Sequence, residues 1–134
     1  MSTIFPSFYL TADAVQINTP KLMGRQSAGN GFLRAVVQSY SQSDAPLRMV
    51  HRGGDQVQAL DAELRSMGWR GETAHALDSK PSQWLDGGVL YYPAPFNSKL
   101  AWQRARYGGH SVALCGVTHT ISSHGVLSQF ADYV

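Results

Sequence analysis

The sequence of 134 residues carries a single cysteine, Cys115, so no disulfide can close within the chain. That scarcity removes it from the class of small, disulfide-stapled secreted domains and points to a cytoplasmic setting. Charge is sparse too: charged residues make up 15% of the chain, and 11 basic against 9 acidic leave a formal net charge of only +2. A nucleic-acid-binding protein needs a clustered basic face, which so small an excess does not supply. No stretch approaches the ~20 apolar residues of a membrane span. The opening MSTIFPSFYLTADAV lacks the basic start and continuous apolar stretch of an export signal. Nucleic acid, an integral membrane segment and a secretory leader are therefore disfavoured.

Hydrophobic residues, by contrast, make up 43% of the chain, enough for a real core, and the length fits one domain over residues 1–134. With so few charges, part of the surface is expected to be covered by a missing domain or by a partner.

Apolar runs at residues 5–10 and 14–17 each read as a strand or as one arm of a hairpin, and the pattern does not choose between them. After the turn signal Asn18-Thr19-Pro20, the glycines Gly24, Gly29 and Gly31 mark a loop that bends or is closely approached before a helix. Phe32, Leu33, Val36, Val37 and Tyr40 give that helix one apolar stripe. Residues 47–50 read as a strand stopping at His51-Arg52-Gly53-Gly54. Asp55 then caps an amphipathic helix with Val57, Leu60, Leu64 and Met67 on one face, ended by Gly68. Residues 69–77 hold a third strand. The continuous run Val89-Leu90-Tyr91-Tyr92 is a strand covered on both faces, closed by Pro93 and Pro95.

Asn97 caps a helix carrying Leu100, Ala101, Arg104 and Ala105, and residues 111–117 form another buried-type strand with Cys115 facing the core. Ser122 or Ser123 caps a last helix bearing Val126, Leu127, Phe130 and Val134. Alternation of this kind predicts an α/β fold: a Rossmann-like, three-layer αβα domain with a mostly parallel sheet. In such sheets the ligand crevice lies at the carboxyl ends of the strands.

Two constellations fall at that end. The Gly24 to Gly31 loop offers backbone N–H groups and a helix start to an anionic or polyhydroxylated ligand, or it is a glycine turn and nothing more. Its G-x4-G-x-G spacing matches neither the Walker pattern nor the dinucleotide fingerprint. Ser27 lacks the glycine offset of a nucleophile elbow. The second constellation, Cys115 to His124, places His119 among Thr118, Thr120, Ser122 and Ser123. His119 can hydrogen-bond a sugar hydroxyl or serve as a general base, or it is a structural histidine satisfied by backbone. Cys115, His119 and His124 invite a zinc reading, but no fourth ligand stands near, and no metal is assigned. Trp102 with Arg104 and Arg106 reads as a solvated edge or a docking face for a neighbouring domain.

Residues 19–34, TPKLMGRQSAGNGFLR, and residues 114–120, LCGVTHT, together resemble the N-terminal domain of bacterial group 1 glycosyltransferases of the GT-B fold. The resemblance implies transfer of a sugar from a nucleotide-sugar donor to a sugar or lipid-linked acceptor, with no other cofactor. It places Gly24, Arg25, Gln26, Gly29, Asn30 and Gly31 beside substrate or donor phosphate. Thr118, Thr120, Ser122 and Ser123 would flank His119, which matches the histidine such enzymes present toward the transferred sugar. The family's C-terminal donor-binding domain is missing from these residues, and the first domain itself is shorter than the family's. The implied chain is then an acceptor-side half that needs a second domain or a homo-oligomer for catalysis. The alternative is a non-catalytic α/β binding domain that pairs an exposed sheet edge with another chain.

Overall fold

Short apolar runs alternate with helices along the chain, and the runs line up as a parallel sheet. The computed structural model describes residues 6–15, 24–41, 43–92, 98–107 and 112–116. Strand β1 (Ser7–Tyr9) leads to a one-turn helix α1 (Ala12–Val15), and α2 (Gly24–Tyr40) precedes β2 (Leu47–His51). Helix α3 (Gln56–Ser66), β3 (Thr73–Leu77), two 3-10 turns (Pro81–Gln83 and Leu85–Gly87), β4 (Val89–Tyr92), α4 (Ser98–Tyr107) and β5 (Ala113–Gly116) follow.

The sheet order is β3-β2-β1-β4-β5, and every neighbouring pair is parallel. Parallel strands need a crossover between them, so helices cover both faces of the sheet, and the central strand β1 is buried throughout. On one face Phe8, Leu47 and Met49 pack with Val15, Leu33, Val36, Val37, Leu60 and Leu64 of α1, α2 and α3. On the other, Tyr9, Val50, Ala76 and Leu90 pack with Trp84, Leu85 and Leu100. The result is the expected α/β Rossmann-like fold, with its strands all parallel.

Helix α3 shows how sequence becomes packing. Leu60 and Leu64, one turn apart, are 0% and 1% exposed, and full burial of each stabilises by about 1.5–3 kcal/mol. Its end is a Schellman motif: Gly68, at φ +93°, donates its N–H to the Arg65 carbonyl, and Trp69 donates to that of Leu64. Its start departs from expectation. Asp55 has helical backbone angles and makes no side-chain cap hydrogen bond, and the Gln56 N–H is taken instead by the Gly53 carbonyl at 3.3 Å.

Three further differences concern the glycine segment, the first apolar runs and β5. Gly24, Gly29 and Gly31 lie inside α2 rather than in a loop before it, and at Gly29 close packing against α1 asks for a residue without a side chain. Of the first two apolar runs, the first supplies β1 and the second begins in α1, so no hairpin forms between them. In β5, Cys115 is exposed rather than core-facing, since this strand ends the described sheet. The expected last helix lies outside the described residues.

Candidate functional site

Where strand order reverses, the crossovers on either side diverge and leave a crevice beyond the carboxyl ends of the strands. Here the reversal falls between β1, which continues to β2, and β4, whose partner on the other side is β5. A cleft of about 410 Å³ opens there, within the roughly 300–1,000 Å³ common for small-molecule sites. Tyr9 closes β1 and Tyr92 closes β4; their rings lie 4.9 Å apart, tilted by 46°, and form one apolar wall. Thr11, Asp13, Arg52, Asp55 and Gln56 provide the polar lining, and the Gly29 backbone completes it from α2.

Two hydrogen-bonded networks hold this mouth, one on each face of the sheet. On the α4 face, the Tyr9 hydroxyl donates to Asp78 Oδ2 at 2.9 Å across the end of β2, and Arg52 reaches the same hydroxyl. Burial, then the bond to Asp78, pushes the Tyr9 phenol up to about 12, so it stays a neutral donor. The Tyr9 bond also holds Arg52 above its ordinary value.

On the α3 face, His51 ends β2 fully buried, and the Gly53 N–H donates to its Nδ1 at 2.9 Å. Its Nε2 lies 2.9 Å from His75 Nδ1, and His75 Nε2 lies 2.9 Å from Asp61 Oδ1 on α3. Burial, and secondly the neighbouring His75, lower the His51 pKa from its ordinary value, which favours the neutral ring. The parallel register explains the meeting: His75 pairs with Met49, two residues before His51, so both imidazoles share a face.

The glycine-segment residues divide. Gly29 lines the cleft, and a Cβ at this position would overlap the Ala14 carbonyl oxygen, so its bare backbone lets α1 and α2 touch. Asn30 Nδ2 donates to the Val15 carbonyl at 2.7 Å, and Gln26 Nε2 to that of Asp13 at 3.1 Å. Both amides satisfy carbonyls that a one-turn helix leaves without partners of its own. Arg34 Nε then donates to Asn30 Oδ1 at 2.8 Å. Gly31 faces open space, and Gly24 begins α2. The Arg25 side chain and all of Thr118, His119, Thr120, Ser122 and Ser123 lie outside the described residues.

The cleft residues Tyr9, Arg52, Asp55, Gln56 and Tyr92 had no motif to announce them. The available signal was position: each sits at, or just beyond, the carboxyl end of a strand in a parallel sheet. Among the described residues no group of three or more His, Cys, Asp or Glu is placed to hold a metal ion, and no helix is long and apolar enough to cross a membrane. Comparison with protein-family models, curated proteins and solved structures finds no match to this chain.

Proposed function

We propose that the cleft between Tyr9 and Tyr92 binds a polyhydroxylated ligand and forms the acceptor-side wall of a glycosyl-transfer site served by a nucleotide-sugar donor. The observation that carries this reading is the cleft's chemistry. Two tyrosine rings offer an apolar face to sugar C–H groups, beside carboxylate, amide and guanidinium side chains able to pair with hydroxyls. Among the described lining residues Asp13 and Asp55 are acidic and Arg52 is basic, a set that suits neutral hydroxyls better than a diphosphate. The sugar, rather than the nucleotide, is thus the part this cleft suits.

His119 is the proposed general base for the acceptor hydroxyl, with Thr118 and Thr120 orienting substrate, on the strength of the sequence resemblance. The donor's diphosphate would be met by a second domain or another chain. A nucleotide-sugar donor and the lone cysteine both go with a cytoplasmic setting.

Calorimetric titration with nucleotide sugars, nucleoside diphosphates and free hexoses tests the reading. Asp55→Ala is the clean probe, because Asp55 is exposed and makes no cap bond, so its loss leaves the fold intact. Sugar affinity is expected to fall about tenfold in this variant. Absence of sugar binding in the wild type would contradict the proposal.

A second reading, a non-catalytic interaction domain, is favoured by Trp102 and Tyr107 on α4, which are 59% and 61% exposed. Light scattering decides: a concentration-dependent mass that Trp102→Ala abolishes, without sugar binding, supports it.

A further inference from the structure

The hydrogen bonds on the α3 face have a direction. A backbone N–H can only donate, so His51 Nδ1 accepts from Gly53, and the neutral ring must carry its proton on Nε2. That Nε2–H donates to His75 Nδ1, which leaves the His75 proton on Nε2, donated to the Asp61 carboxylate. Every ring nitrogen of both imidazoles is therefore used, and the chain accepts no further proton without breaking a bond.

From this geometry we infer that Asp61, His75 and His51 form a one-proton relay that locks Gly53, and with it one wall of the cleft, while both rings are neutral, and releases it when a proton is taken up.

A solvent proton adds to His51 Nδ1, and the His51 Nε2 proton passes to His75 Nδ1. His75 then carries N–H on both nitrogens, its positive charge beside the Asp61 carboxylate. His51 is neutral again but in the opposite tautomer, so its Nδ1–H now points at the Gly53 N–H. Two donors face each other and the bond that held Gly53 is lost.

The released segment matters because of what it carries. Arg52, Gly53, Asp55 and Gln56 all line the cleft. The Gly53 carbonyl receives the first N–H of α3, and Gln56 Oε1 accepts the Ala12 N–H at 2.8 Å, tying α3 to α1. One hydrogen-bonded path thus runs from the half-exposed Asp61 to the cleft floor. Besides His75, the charged groups that act on His51 are Asp78 after β3 and Asp61 on α3. Of these only Asp61 bonds an imidazole, and so stabilises the added charge directly. The consequence for ligand binding rests on the cleft being the ligand site; the lock on Gly53 does not.

Nitrogen-resolved NMR of the histidines, with hydrogen exchange of the Gly53 amide corrected for its intrinsic rate, tests the relay between about pH 8 and about pH 5. Both rings should be Nε2–H tautomers at the upper end. Gly53 protection should fall about tenfold on acidification, with the midpoint of the histidine titration. His51→Asn keeps an acceptor oxygen where Nδ1 stood, so Gly53 should stay protected with no titration. Asp61→Asn, near the surface, carries the test if that buried variant does not fold: its midpoint should move down, because the carboxylate that favours the added proton is gone.

An Nδ1–H tautomer on either ring at about pH 8, Gly53 protection that stays level while the histidines titrate, or an unmoved midpoint in Asp61→Asn would each overturn the relay. Hexose affinity, measured over the same range, should weaken with the same midpoint. A protein whose Gly53 titrates as stated but that binds no sugar at any pH retains the lock and loses the cleft assignment. Sugar binding with no change at Gly53 loses the relay alone.

Discussion

The Tyr9 hydroxyl donates to Asp78 Oδ2 at 2.9 Å, joining the ends of β1 and β3 across the end of the strand that separates them. Residues 69 apart in sequence become one pin at the mouth of the cleft. Tyr9→Phe removes this bond and leaves Asp78 to water, at an expected cost of about 0.5–1.5 kcal/mol in denaturant unfolding.

The same pin contributes to stability at alkaline pH. Tyr9 titrates at about 12 when folded, against 10.0 ordinarily, so the neutral phenol is favoured in the native state. A raised value contributes stability that is complete below 10 and is lost as pH rises through 12. Burial raises Tyr40 and Tyr91 as well, so ultraviolet titration of the phenolates should show several delayed tyrosines, of which Tyr9→Phe eliminates the latest.

At the acid end the sign reverses. The His51 pKa is lowered by burial from its ordinary 6.5, so its contribution is present above 6.5 and is lost as pH falls through the lower, folded value. Denaturant midpoints should therefore drop on acidification below about pH 6.5, and in His51→Asn that slope should flatten.

Gly29 and Gly31 share a motif and should respond oppositely to alanine. A methyl at Gly29 meets the Ala14 carbonyl, a backbone atom that cannot step aside, and should cost about 1–3 kcal/mol. At Gly31, inside α2 and facing open space, alanine should stabilise by about 0.5–1 kcal/mol. Thermal unfolding of the two variants measures both signs.

Much of the fold was legible because periodicity and punctuation agree in the middle of the chain. The Val57, Leu60, Leu64 stripe and the Gly68 stop define α3, and the run at 89–92 is β4. Glycine's low helix propensity points to a loop at residues 24–31, and packing of α2 against α1 overrides it at Gly29. Asp55 looked like a cap by residue type, yet its backbone is helical and the turn through Gly53 does the capping. The His51 and His75 pair was not legible at all. Their meeting depends on the register of β2 against β3, which no local pattern encodes.

The most direct test of the cleft is saturation-transfer NMR with a nucleotide sugar, comparing the wild type with Asp55→Ala and Tyr92→Ala. A sugar-binding cleft predicts strong transfer to the hexose protons, weaker transfer to the base and ribose, and loss of the hexose signal in both variants. Transfer confined to the nucleotide, or a hexose signal unaffected by either substitution, would contradict it.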